Sequence, residues 1–173
     1  MRTFVSKYFR MLILGFAVLI AQFAWNGSSQ AQIVALGASN VEGLGVSSAQ
    51  AFPAQLQAML RAKGKHYSIS NQGISGDTTA GMLARLDSAV PQGTKIVVLF
   101  VGGNDIRHGR TRAQLKAGYD EIVARLRARH IRVINAGPYY WAARRKGMIQ
   151  TDGMHLTVDG HRYVAAQLVH LIN

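Results

Sequence analysis

The chain has 173 residues, no cysteine, 49% apolar residues and a formal net charge of +12. That length and apolar content suit one domain with a full core, and the missing thiols exclude disulfides and cysteine nucleophiles. The charge leaves nucleic acid, an anionic membrane and acidic substrates as partners of the right sign.

The first 31 residues are expected to stand apart from the fold. Arg2, Lys7 and Arg10 flank the start of an apolar stretch from Met11 to Trp25, and Ser29-Gln30-Ala31 follows with small residues suited to cleavage. That order is the order of a signal peptide, and the apolar stretch falls short of the roughly 20 residues of a spanning helix. A retained anchor is the alternative. The expectation is therefore a signal peptide over 1–31, one domain over 32–173, and a periplasmic or secreted protein. Export removes nucleic acid from the partners.

The apolar run 33–36 predicts a short buried strand. Residues 51–62 place Phe52, Leu56, Met59 and Leu60 at helical spacing, with Pro53 in the first turn, where it is tolerated. A weaker strand at 66–70 precedes Asn71-Gln72-Gly73. A helix over 79–90 is stopped by Pro91-Gln92-Gly93. Residues 95–101 are apolar on both faces, which suits the middle of a parallel sheet. Thr111 to Gln114 resembles a capping box opening a helix to about 129, and 131–135 is a fourth strand. Thr157 is placed to cap a last helix running to 172.

Strands alternating with helices argue for a parallel sheet covered on both faces. The expected fold is α/β: a three-layer α/β/α sandwich with a flavodoxin-like parallel sheet of four to five strands, the firm four in the order 2-1-3-4. Ligands of such sheets bind beyond the carboxyl ends of the strands.

Four turns carry the unusual residues: Gly37-Ala38-Ser39-Asn40-Val41-Glu42-Gly43, Gly73-Ile74-Ser75-Gly76-Asp77-Thr78-Thr79, Gly102-Gly103-Asn104-Asp105 and Asp152-Gly153-Met154-His155. An acid three residues before a histidine can orient the imidazole as a base, and a base needs a nucleophile such as Ser39. Taken singly, each residue has a plainer reading. Ser39 is a turn former, Gly76 supplies a positive φ, Asn104 caps a helix and His155 is a structural histidine. Asp152, His155, Asp159 and His161 could also be read as a metal cluster, but Asp159 and His161 are expected to lie exposed at the start of the last helix. No metal and no cofactor is expected.

Together and in this order, the four blocks resemble those of the SGNH hydrolase superfamily, also called GDSL esterases and lipases. The resemblance spans nearly all of the chain beyond residue 31 and is nearest the bacterial periplasmic thioesterase, lysophospholipase and arylesterase branch. It implies that Ser39 is the nucleophile, His155 the base and then the acid, and Asp152 the group that holds the imidazole. It also implies that the backbone N–H of Ser39, the backbone N–H of Gly76 and the side-chain amide of Asn104 form the oxyanion hole. The activity implied is hydrolysis of an acyl or aryl ester, a thioester or a lysophospholipid through an acyl-serine intermediate, by a monomer. A noncatalytic envelope-binding module and a carbohydrate O-acetyl esterase are the alternatives.

Three departures from the family pattern bear on these expectations. Ala38 stands where an aspartate is usual, and Asn40 where leucine is usual. Only fourteen residues, 138–151, separate the fourth strand from Asp152, so a fifth strand is expected to be missing or reduced to about 147–149. The same shortening is expected to remove much of the wall of the acyl pocket. Tyr139-Tyr140-Trp141 with Arg144-Arg145-Lys146 reads as a solvated loop or as a contact for anionic lipid or acidic glycan. Eleven cations lie between Arg107 and Lys146.

Overall fold

The two strands that are apolar at nearly every position occupy the middle of the sheet. The computed structural model describes residues 32–172, so the expected signal peptide lies outside the described residues. Strands β1 (Ile33–Gly37) and β3 (Ile96–Phe100) are buried at every position, whereas β2 (Ile69–Gly73) and β4 (Arg132–Asn135) keep polar residues at the edges. All pairings are parallel, in the order β2-β1-β3-β4. This is the expected order. Strands buried on both faces cannot sit at an edge without exposing apolar surface.

Between the strands lie α1 (Ser39–Glu42), α2 (Phe52–Ala62), α3 (Thr79–Ala84), α4 (Leu86–Ala89), α5 (Asn104–Arg107) and α6 (Arg112–Ala128). After β4 come α7 (Gly137–Arg145) and α8 (Val158–Leu168). Alternate strand residues face opposite layers. Ile33, Ala35, Ile96 and Val98 pack with Leu56 and Leu60 of α2, Ala143 of α7 and Leu168 of α8. Val34, Leu36, Val97 and Leu99 pack with Met82 of α3, Leu86 of α4, and Ile122 and Leu126 of α6. Truncating a fully buried leucine such as Leu99 to alanine would cost about 2–5 kcal/mol.

Four segments differ from expectation. The second strand, expected over 66–70, runs from Ile69 to Gly73 and takes in Asn71-Gln72-Gly73, because these residues pair with Ala35, Leu36 and Gly37 of β1. The helix expected over 79–90 is broken at Arg85, which ends α3 and begins α4. Its guanidinium lies at the carboxyl ends of β1 and β2, where it donates to Asp77 Oδ2 (2.8 Å), Gln72 O (2.9 Å) and Gly37 O (3.2 Å). The segment 138–151 is largely helix and not loop: Pro138 sits in the first turn of α7, and Tyr140 and Ala143, one turn apart, are buried. No fifth strand joins the sheet; among the described residues only an isolated antiparallel bridge links Ile149 to Leu156. The last helix stops at Leu168 and tightens into a 3-10 turn over Val169–Leu171.

The helix caps behave as read. Thr111 accepts from Gln114 N and is answered by the Gln114 side chain, and Thr157 accepts from Gly160 N. Gly37 closes β1 because a Cβ there would lie 2.4 Å from Val41 Cγ2 and 2.5 Å from Phe100 O. With no side chain in the way, α1 folds back across the strand end and lifts Ser39 to the rim of the sheet.

Candidate active site

Ser39 is the first residue of α1, immediately beyond the carboxyl end of the central strand β1. His155 comes from the turn that precedes α8. Its Nε2 lies 2.9 Å from Ser39 Oγ, and its Nδ1 lies 2.5 Å from Asp152 Oδ2. Ser39 is 116 residues from His155 in sequence, and the fold brings it to the local Asp152–His155 pair. With Asp152 ionised, the ring N–H sits at Nδ1, which leaves Nε2 as the acceptor facing the hydroxyl.

The Asp-x-x-His spacing lets one carboxylate do two jobs. Oδ2 holds the ring, while Oδ1 accepts from Met154 N (2.8 Å) and His155 N (3.0 Å) and so shapes the turn. The bond from the His155 ring, followed by the backbone bonds from His155 and Met154, pulls the Asp152 carboxyl from 3.8 down to about 2. The His155 side chain is mostly shielded and that of Asp152 is half-exposed.

Asn104 begins α5 and is buried. Its Nδ2 donates to Asp77 O (2.8 Å), and its Oδ1 accepts from Arg107 Nη1 (3.0 Å). An amide nitrogen has two hydrogens, so one remains to be offered to a ligand. The neighbouring Asp105 accepts from Thr79 N (2.9 Å) and Thr79 Oγ1 (2.6 Å), which stitches the turn after β3 to the turn after β2.

Gly76 is exposed, in a turn closed by the bond from Asp77 N to Ile74 O (3.1 Å). It adopts φ +82°, and a Cβ there would meet open space. Backbone conformation therefore selects this glycine, not crowding within the protein. Gly76 does not line the cleft that holds Ser39 and His155.

That cleft has a volume of about 480 Å³. Its wall, expected to be missing, is supplied by α7 through Tyr140, Trp141 and Arg144, opposite Ile106 and Leu115. Of the Arg144-Arg145-Lys146 triplet only Arg144 faces the cleft; Lys146 Nζ lies 5.8 Å from the ring of Tyr163 on α8. Ala38, in the place of the usual aspartate, is buried in the core layer under α3, α4 and α6.

Several supporting residues escaped the sequence reading. Asn40 Nδ2 donates to Met154 O (3.3 Å) and Asn40 Oδ1 accepts from Leu156 N (2.9 Å), so the residue after Ser39 grips the backbone on both sides of His155. Tyr140 Oη donates to the same Met154 carbonyl (2.8 Å). Gln150 Nε2 ties Leu44 O to Leu156 O. A polar residue beside the nucleophile was the one available signal.

His161 was expected to be exposed and is fully buried. Its Nδ1 accepts from Phe52 N (3.2 Å), its ring stacks on Phe52, and its Nε2 is buried without a partner. Burial, with a smaller contribution from His155, pushes its imidazole from 6.5 down to about 4. Asp159 is exposed and pairs with Arg162. The four residues read as a metal cluster thus do not converge.

Residues 35–146 match the GDSL-like Lipase/Acylhydrolase family. The chain is 30% identical over 180 residues to Esterase TesA of Pseudomonas aeruginosa, covering 84% of this chain and 89% of that protein. The crystal structure of TesA superposes with a TM-score of 0.67 at 27% identity, over 79% of this chain and 94% of that one. AlinE4, an SGNH-hydrolase family esterase, superposes with a TM-score of 0.59 at 25% identity, over 81% and 93%. A sheet in the order β2-β1-β3-β4, with a serine at the end of its central strand meeting a histidine from the last turn, thus occurs in a chain that belongs to the GDSL-like lipase/acylhydrolase family of SGNH hydrolases and is an ester-hydrolysing enzyme.

Proposed function

We propose that the enzyme hydrolyses carboxylic esters or thioesters by acyl transfer through Ser39. The observation that carries this reading is the unbroken chain from Asp152 through His155 to Ser39 Oγ. His155 Nε2 takes the hydroxyl proton as Oγ attacks the acyl carbon, and the carbonyl oxygen becomes an oxyanion. The same ring then protonates the leaving alkoxide or thiolate, and the acyl group stays on Ser39. Water, deprotonated by His155, attacks the acyl-serine; the acyl–Oγ bond breaks as the ring returns the proton to Ser39, and the acid is released.

The developing oxyanion is met by the Ser39 N–H and the second N–H of Asn104; the Gly76 N–H, from the exposed turn after β2, joins them on the support of the family resemblance alone. Ser39 opens α1, so the helix leaves its N–H without a partner. Asn104 is held from both ends of its amide, by Asp77 O and Arg107, so its free hydrogen is aimed before substrate arrives.

The apolar cleft surface formed by Phe100, Val101, Ile106, Leu115 and Trp141 suits an acyl or aryl group. Lysophospholipids and thioesters fall within that range. The enzyme acts as an exported monomer. The basic and apolar N-terminal segment supports export, and the cations between Arg107 and Lys146 support contact with anionic lipid or acidic glycan.

The test is a series of 4-nitrophenyl esters of rising chain length, hydrolysed by the protein and by Ser39→Ala. The variant should lose about 10⁴-fold or more in kcat with its melting temperature unchanged, and a fluorophosphonate should add its phosphonyl mass to Ser39 alone. Unchanged turnover in Ser39→Ala would overturn the assignment. Sizing by light scattering and mass analysis of the exported chain test the monomer and the cleavage after Ala31.

A further inference from the structure

The cleft that holds Ser39 is lined by three arginines, Arg107, Arg112 and Arg144, and by no aspartate or glutamate. Among the described residues the ion pairs of Arg85, Arg110, Arg125, Arg129 and Arg162 lie elsewhere, and none of the three cleft arginines has a carboxylate partner. Arg107 is already engaged by Asn104 and by Met154. Arg112 and Arg144 are not engaged in that way.

Their placement argues against a structural purpose. Arg112 is the first residue of the 17-residue α6, where the positive end of the helix disfavours a cation. The Arg144 guanidinium carbon lies over the ring of Trp141, 5.5 Å from its centroid, and the guanidinium has no carboxylate partner there. In the same cleft, Ile106 and Trp141 are 44% and 52% exposed, large apolar side chains left in water. Uncompensated guanidinium groups beside exposed apolar surface fit a ligand with one apolar part and one anionic part.

We propose that Arg112 and Arg144 form an anion subsite of the ester cleft, so that the preferred substrate carries a carboxylate or phosphate besides its scissile ester. The apolar part lies on Ile106 and Trp141, and the anion receives N–H donors from the two guanidinium groups. This rests on the ester-hydrolase reading above and adds to it the charge of the substrate. The reaction itself is unchanged, since neither arginine touches the reacting atoms.

The experiment uses two pairs of esters that differ only in charge. 4-Nitrophenyl hemisuccinate against 4-nitrophenyl butyrate places the anion on the acyl arm. 1-Butyryl-glycerol 3-phosphate against 1-butyryl-glycerol places it on the alcohol arm. The anionic member should have about 10-fold higher kcat/KM in at least one pair, as a charge-assisted contact would give, and the responding pair identifies the arm. The double variant Arg112→Gln/Arg144→Gln should bring that ratio to about unity, the neutral member of each pair serving as its own reference for any change in the cleft wall. Raised salt should shrink the ratio in the parent protein.

Equal rates within both pairs, or a ratio indifferent to the double variant, would overturn the subsite. Binding of the same esters to Ser39→Ala separates this inference from the hydrolase reading. Arginine-dependent binding with no turnover of any ester by the parent enzyme would sustain the subsite and overturn the hydrolase.

Discussion

Asn40 holds His155 without touching its ring. The amide of Asn40 donates to the carbonyl before His155 and accepts from the N–H after it, at 3.3 Å and 2.9 Å. The two peptide groups that set the height of the imidazole above Ser39 are thereby referred to the residue next to Ser39. A displacement of about 1 Å at such a site can cost 10²-fold in rate.

Asn40→Ala should lower kcat by about 10- to 100-fold with little change in KM, because the nucleophile and the apolar cleft remain. Asn40→Asp keeps the acceptor for Leu156 N and loses the donor to Met154 O, and it should recover part of the rate. Steady-state kinetics on one soluble ester decide the matter. An effect on KM alone would make Asn40 a substrate-binding residue.

Asn104→Ala should lower kcat by about 10² to 10³, as loss of one oxyanion donor does in other acyl-transfer enzymes. The same change removes the partner of Asp77 O, so the melting temperature needs to be recorded beside the rate. A rate that stays at the parent level would remove Asn104 from the oxyanion hole.

His161 gives a pH dependence of stability with a definite sign. Its imidazole is held near 4 in the folded chain against 6.5 when free, so between those values the unfolded chain binds the extra proton. Stability is then full above about pH 6.5 and falls as the pH drops toward 4, by up to about 3 kcal/mol at 1.36 kcal/mol per unit. His161→Asn offers a neutral acceptor for Phe52 N. Denaturant melts at pH 7 and pH 4.5 should differ less in this variant than in the parent, and equal differences would contradict the assignment.

Arg85→Met should destabilise the fold by about 3 kcal/mol, since it strands the Asp77 carboxylate and two strand-end carbonyls. Urea unfolding measures this directly. A loss under 1 kcal/mol would show that water replaces the guanidinium.

The sheet was legible because its strands differ in kind: Ile33 to Leu36 and Ile96 to Phe100 are apolar throughout, and the edge strands are not. The Asp152–His155 pair was legible in its three-residue spacing, whereas Ser39 was tied to it only by the resemblance of the four blocks taken in order. What escaped was the long-range polar work. Asn40 contacts a residue 116 positions away, and the burial of His161 depends on Phe52, 109 positions away. The helix over Gly137–Arg145 was hidden by its run of aromatics after Gly-Pro, which reads equally well as a loop.

The bond between His155 and Ser39 closes a loop of 116 residues, the same separation as that between Asn40 and Leu156. Loop closure of that span is entropically expensive and is recovered only when the sheet and α8 are both in place. No fragment of the chain can assemble the pair. Ester hydrolysis therefore reports the folding of the whole domain, and a chain still refolding is inert toward the ester bonds around it until its last helix docks.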